Sequence, residues 1–290
     1  MNKYYPKITI ITPTLNSVED IESCILSVAK QTHKNIEHLI IDGKSEDLTV
    51  SIVKKYAEIY LHIKYISEKD NGIYDAMNKG IEMSAGEWIY FLGSDDILYD
   101  NDILENLFKN KERIQFDVIY GNVIFKNSGE VYAGKFFASK LTEKCICHQA
   151  IFYKKKLFEK IGKFEIKYKS GADWVHNMKW FNDKKIRRNY INKVIAVYNE
   201  NGYSSKNRDI EFEKDKEKII RKYFSLPAVV LYKIKISAIF IFFEKAKRVW
   251  KRYGIIVFLK SVFMYIKYGR ICFKSGWDRG IKANYFSGKD

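Results

Sequence analysis

Apolar residues along the chain fall into two recurring patterns. Short, β-branched runs at Ile8 to Ile11, His38 to Ile41, Ile63 to Ile66 and Trp88 to Leu92 predict buried strands. Between them the apolar positions open to helical spacing, at Ile21, Cys24, Ile25 and Val28, at Val50, Val53 and Ala57, and at Ile73, Met77 and Ile81. These stretches predict amphipathic helices packed against the strands. Strand and helix in strict alternation imply right-handed parallel crossovers and a sheet covered on both faces. Ligands are then expected just beyond the carboxyl ends of the strands.

Those ends carry Thr12-Pro13-Thr14-Leu15-Asn16, Asp42-Gly43-Lys44-Ser45-Glu46-Asp47, Glu68-Lys69-Asp70-Asn71-Gly72 and Gly93-Ser94-Asp95-Asp96. Each has a structural reading: Asn16 and Ser17 can begin the first helix, and Asp47 can cap the second. Capping alone does not require a carboxylate or amide at every strand end. Ser94-Asp95-Asp96 follows the run that reads as a central strand, and its adjacent carboxylates repel each other. A divalent cation relieves that repulsion. Mg²⁺ or Mn²⁺ takes one or two carboxylates, completed by water and substrate phosphates. From the dipeptide alone, a turn with Asp96 capping the next helix is the competing account.

Taken in order, these segments resemble glycosyltransferase family 2, enzymes of GT-A fold that use nucleotide-diphosphate sugars. Ile8 to Asn16 is similar to the family's opening strand and turn, and Ile41 to Asp47 to its second, with Lys44 where a smaller residue is common. Asp70-Asn71-Gly72-Ile73-Tyr74-Asp75-Ala76-Met77-Asn78-Lys79-Gly80-Ile81, followed by Gly86-Glu87-Trp88-Ile89, is similar to a bacterial polysaccharide-synthesis branch. Ser94-Asp95-Asp96 stands where the family has its D-x-D-type metal motif. The resemblance covers roughly residues 7 to 205.

It implies an α/β fold with a Rossmann-like, mostly parallel mixed sheet flanked by helices. It also implies a nucleoside cleft from Thr12, Asn16, Asp42 and Asp70, with Asp42 facing a uracil-like imide. Pro13, Asn78, Lys79 and Ser94 are counted with the donor-binding residues. Asp95 would face the ribose or sugar, and Asp96 would bind Mn²⁺ or Mg²⁺ on the diphosphate. Direct, inverting displacement needs one base for the acceptor hydroxyl. Asp173, in Ser170-Gly171-Ala172-Asp173-Trp174, resembles the family's acceptor-side acidic motif and is the candidate. It equally reads as the cap of a helix carrying Val175, Met178 and Phe181. His148, Gln149 and Trp174 are acceptor-side candidates of second rank, because a lone histidine is more often a satisfied core or surface group. Asn201-Gly202-Tyr203-Ser204-Ser205 resembles a loop closing over the donor, with a polar turn as the alternative.

Composition and charge then narrow the partners. At 290 residues and 47% hydrophobic, with three prolines, the chain carries enough apolar surface for a large core, which argues against disorder. The scattered Cys24, Cys145, Cys147 and Cys272 match no zinc or redox spacing and read as reduced structural thiols. The amino terminus lacks the pattern of a signal peptide, so a cytoplasmic location is expected.

The formal charge is +16, and fourteen Lys and Arg against three Asp and Glu from Leu226 onward place +11 of it in the tail. The expected division is a catalytic domain over 1–225, with a nucleotide-sugar half to about residue 110 and an acceptor half to 225. A basic, aromatic, amphipathic helical tail over 226–290 follows. No tail stretch approaches the roughly 18 uncharged apolar residues of a membrane span. Basic helices with aromatic faces suit an anionic membrane surface, here the inner face of the cell membrane, or packing on the catalytic domain or in a homo-oligomer.

The expected activity is inverting transfer from a nucleotide-diphosphate sugar, uridine-linked, to a lipid-linked saccharide in surface polysaccharide synthesis. A nucleotidyltransferase would show a glycine-rich basic loop after the first strand, which Thr12 to Asn16 is not. A non-enzymatic membrane or nucleic-acid binder would leave the ordered carboxylates unexplained, and no nucleic-acid module is recognisable.

Overall fold

The four apolar runs become β1 (Ile8–Thr14), β2 (Ile36–Asp42), β3 (Ile63–Ser67) and β4 (Trp88–Phe91) in a computed structural model that describes residues 5–202 and 209–236. The intervening stretches are α1 (Ile21–Ala29), α2 (Thr49–Ile59) and α3 (Ile73–Met83). All seven β1 residues are buried, as unbroken apolar runs require when helices cover both faces. The residues α1 buries are those at helical spacing, Ile21, Cys24, Ile25 and Val28. Ile21 and Ile25 pack with Ile40, Val53, Tyr56 and Ile63, fastening α1 and α2 to one face of the sheet. β1 lies between β2 and β4, β3 flanks β2, and all three pairings are parallel.

The chain continues through β5 (Ile97–Leu98), α4 (Ile103–Phe108), β6 (Val118–Phe125), β7 (Val131–Tyr132), α5 (Ala138–Leu141), β8 (Ile151–Lys154), α6 (Lys156–Ile161), α7 (Ala172–Asn182) and β9 (Arg188–Tyr198). Helices α8 (Ile210–Tyr223) and α9 (Leu226–Ile236) follow. Among the described residues the sheet runs β3-β2-β1-β4-β8-β6-β9-β5, with β7 paired to β6. β8 is antiparallel to both β4 and β6, whereas β6 and β9 are parallel. The sheet is therefore mixed, and β4 is central, as its fully buried side chains demand. The register pairs Thr14 with Asp42 and Asp42 with Ser67, so the polar ends of β1, β2 and β3 meet at one sheet edge.

Residues through Val229 form one compact unit and those from Val230 belong to another. Of the basic tail, only the α9 backbone to Ile236 is described, and the aromatic and basic positions from Ala238 onward lie outside the described residues. No helix among the described residues is long and apolar enough to cross a membrane. Cys24, Cys145 and Cys147 are free thiols; Cys272 lies outside the described residues.

Candidate functional site

The first two strand-end turns are stitched together. Asn16 donates its N–H to Ser45 Oγ (2.8 Å) and its Oδ1 accepts from Glu46 N (2.9 Å). Asp47 accepts from Val18 N and Thr49 N, so it binds the two turns to each other as well as opening α2. Asp42 is 1% exposed. Its carboxylate accepts from Lys44 N, Ser45 N, Ser45 Oγ and Ser67 Oγ at 2.5 to 3.1 Å. Those bonds bend the chain so sharply that Lys44 takes a φ of 69°, a region costing a side-chain-bearing residue roughly 1–2 kcal/mol. This accounts for the smaller residue expected at that position.

Asp70 accepts from Gly72 N (2.8 Å). A Cβ on Gly43 would lie 2.7 Å from Asp70 Oδ2, so the absent side chain lets this carboxylate rest against the second turn. Asn16, Asp42 and Asp70 are thus gathered at one edge. Thr14 Oγ1, buried at the end of β1, has no partner.

Four donor-binding expectations, Thr12, Pro13, Asn78 and Lys79, are not brought there. Thr12 is fully buried, its hydroxyl paired with His38 Nε2 at 2.9 Å. Burial pushes His38 down to about 3, so that ring is neutral. Thr12 and Thr14 face the same side of β1, but Thr12 lies deeper in the core and Thr14 is the last residue of the strand. Asn78 clamps the Phe164 backbone, donating to its carbonyl and accepting from its N–H. Lys79 is held by Glu68 at 2.8 Å and by the Lys69 carbonyl. Asn78 and Lys79 support the walls, and Pro13 is buried within β1.

The acidic turn separates its two carboxylates. Asp96 is 1% exposed; its Oδ2 accepts from Gln149 Nε2 (2.6 Å) and its Oδ1 from Asn199 N (2.8 Å). Burial, and then the charge of Asp95, push it up to about 6. A capping role for Asp96 is not seen, since α4 has Asp102 at its N-cap position. Asp95 is only half-buried, and among the described residues no other group donates to its carboxylate. Burial, then the Asp20 charge, raises it too. Ser94 bonds Ser17 (2.8 Å) and so ties this turn to the first. Cβ atoms on Gly93 and Gly202 would lie 3.0 and 3.2 Å from the Asp95 oxygens. Gly202 therefore brings the start of the late loop against Asp95; Tyr203 to Ser205 lie outside the described residues.

Two neighbouring carboxylates, both held above their usual range, fit a divalent cation that would stabilise their charged forms. The described residues hold no cluster of three or more His, Cys, Asp or Glu side chains that could hold a metal ion.

Asp173 lies in the first turn of α7, after an N-cap at Gly171. The capping expected of it is not seen, since no side chain caps α7; Asp209 caps α8, its Oδ1 accepting from Phe212 N, while its Oδ2 accepts from Ser170 N and Gly171 N just ahead of α7. Asp173 Oδ1 accepts from Tyr74 Oη (2.9 Å) and from Trp174 N (2.8 Å). Among the described residues its Oδ2 has longer contacts, His148 Nδ1 at 3.3 Å and Cys145 Sγ at 3.7 Å. His148 Nε2 is buried without a partner. Trp174 turns aside, donating its indole N–H to the Leu141 carbonyl (2.7 Å).

Consecutive residues thus join the two acidic centres, His148 touching Asp173 and Gln149 touching Asp96. Sequence reasoning missed Tyr74, Asn199 and Asp209. Tyr74 sits inside a motif it did use, but a buried aromatic at helical spacing reads as core. Asn199 acts through its backbone and leaves no side-chain signal.

The sequence profile described as Glycosyl transferase family 2 matches residues 9–178. A Mycobacterium tuberculosis protein named PGL/p-HBAD biosynthesis glycosyltransferase is 36% identical over 217 residues, covering 72% of this chain and 83% of that protein. The Staphylococcus aureus poly(ribitol-phosphate) beta-N-acetylglucosaminyltransferase TarP is 31% identical over 174 residues, covering 57% and 53%. Among solved structures, S. aureus TarS 1–349 in complex with UDP-GlcNAc matches with a TM-score of 0.62 at 19% identity, over 88% of this chain and 81% of that one. The mannosyltransferase PcManGT of Pyrobaculum calidifontis, in complex with GDP-Man and Mn²⁺, matches with a TM-score of 0.53 at 17% identity, over 92% and 88%. At these identities the structural likeness speaks for the GT-A fold alone.

Proposed function

We propose, given that this chain belongs to glycosyl transferase family 2 and is a glycosyltransferase, that it moves a sugar with inversion from a uridine-diphosphate donor to a hydroxyl of a lipid-linked saccharide. The observation that carries this reading is the pair of centres joined through His148 and Gln149, one with an Asp95 carboxylate to which no other described group donates and one with a hydrogen-bonded Asp173. The N-acetylglucosaminyl activity in the name of TarP supports a uridine nucleotide.

In this reading the nucleoside lies against Asn16, Asp42 and Asp70. Asp95 would hold the Mn²⁺ or Mg²⁺, because no other described group donates to its carboxylate, while Asp96, with one hydrogen bond at each oxygen from Gln149 and Asn199, would support the turn. When bound, the ion offsets negative charge on the diphosphate leaving group. The acceptor oxygen forms a bond to the anomeric carbon as the bond from that carbon to the β-phosphate oxygen breaks. The electron pair leaves on the diphosphate, and the acceptor proton passes to Asp173. The Oδ2 lobe is the one suited to receive it, since its present contacts are the long ones.

The test is release of UDP from UDP-N-acetylglucosamine, UDP-glucose and UDP-galactose with Mn²⁺. Turnover that stops on chelation is expected, and no turnover with any UDP, GDP or CMP sugar contradicts the reading.

The basic excess over 226–290 supports a peripheral contact with an anionic membrane surface. The full chain is expected to sediment with vesicles containing phosphatidylglycerol, and the chain ending at 225 to stay in solution. Equal sedimentation of both would remove the tail from this role.

A further inference from the structure

We infer that Tyr74 is a positioning residue for the transfer, fixing the Asp173 carboxylate so that Oδ2 alone is presented to the acceptor hydroxyl. This rests on the reading of Asp173 as the base. The phenol is 5% exposed and donates to Asp173 Oδ1 across 99 residues of sequence. Burial first, and then the Asp173 charge, raise the Tyr74 pKa well above its ordinary value, so it stays a proton donor at every working pH. Its ring packs on Phe164 with centroids 5.5 Å apart. Phe164 is in turn clamped by Asn78 one turn further along α3, so the hydroxyl has little freedom to turn away.

With Trp174 N on the same oxygen, both directions at Oδ1 are occupied by short hydrogen bonds, while Oδ2 keeps the 3.3 and 3.7 Å contacts that an incoming hydroxyl can replace. Placement of the tyrosine is set at the donor end of the cleft. α3 starts from Gly72, held at a φ of 115°, where Asp70 accepts from its N–H. Two residues on, Tyr74 points back at the base. One short helix start therefore carries a nucleoside-cleft carboxylate and the support of the acceptor-side carboxylate.

A hydrogen bond to a charged group contributes about 1.5–3 kcal/mol. Tyr74→Phe is therefore expected to lower kcat for UDP release about ten- to a hundredfold, with the UDP dissociation constant within about twofold. It should also move the acid limb of the kcat/KM profile to higher pH, which a packing defect would not do. Tyr74→Phe keeps the ring, and its unfolding midpoint, read beside the rates, reports any general loss of fold.

The comparison includes Asp173→Asn. If that variant stays active, the assignment of the base fails. If it is inactive while Tyr74→Phe keeps the wild-type rate and pH profile, the positioning role fails and the base stands.

Discussion

Asp173→Asn is expected to lower sugar transfer by about 10²- to 10⁴-fold, the usual contribution of a positioned general base, with UDP affinity left within about twofold. The amide keeps the shape of the carboxylate and can still accept from Tyr74 and Trp174 N at one atom, so the α7 start should hold. What it loses is the second oxygen, the one facing His148 Nδ1 at 3.3 Å. Because Asp209, not Asp173, ties down the N–H groups of Ser170 and Gly171, the substitution removes no cap and should barely move the unfolding midpoint. The check pairs UDP release with calorimetric UDP binding on the same preparation. Parallel loss of both would place Asp173 in the donor site and break the division of labour proposed for the two acidic centres.

Asp95→Ala should abolish the metal-dependent part of UDP binding, and Asp96→Ala should instead cost stability. Losing a group that only orients a metal ligand typically costs about 10- to 100-fold in affinity, and removing the ligand itself should cost more. Taking away Asp95 also removes a charge that raises its neighbour, so the fold should not suffer. Asp96→Ala strands the buried Gln149 Nε2, at about 1–3 kcal/mol, frees the half-buried Asn199 N, and unties the late loop from the β4 turn. For a unit of this size, about 2–4 °C of midpoint per kcal/mol predicts a fall of several degrees. Calorimetry with and without Mn²⁺, beside thermal unfolding, reads both. A stable Asp96→Ala that no longer binds UDP with Mn²⁺ would return the metal to Asp96.

The nucleotide half of the fold was legible because β1, β2 and β4 are buried on both faces and therefore write themselves as unbroken apolar runs. The acceptor half was less so. β5 and β7 are two residues each, too short for a period, and β9 carries Arg188, Asn192 and Lys193 among its eleven residues.

The site divides in the same way. The placement of Asn16, Asp42, Asp70 and Asp95 at strand ends could be read because the apolar runs mark where the strands stop. Which of Asp95 and Asp96 is free could not, since that is decided by Gln149 and Asn199, 53 and 103 residues away in sequence. Thr12 and Thr14 differ by one full alternation of the strand, so both face the same way and only the depth of the core separates them. The segment ahead of α7 is anchored by Asp209, whose Oδ2 reaches back 39 residues to Ser170, a contact that local spacing around Asp173 does not reveal.

The most direct test of the central claim, a nucleotide-diphosphate cleft completed by a divalent cation, is thermal unfolding of the full chain with UDP, with and without Mn²⁺. At about 100 times its dissociation constant a ligand adds about 2.7 kcal/mol, which should raise the midpoint by about 5–10 °C. The account predicts that rise with UDP and Mn²⁺ together and little with either alone. An unchanged midpoint with UDP, GDP, CMP or ATP in the presence of Mn²⁺, or an equal rise in chelator, would contradict it.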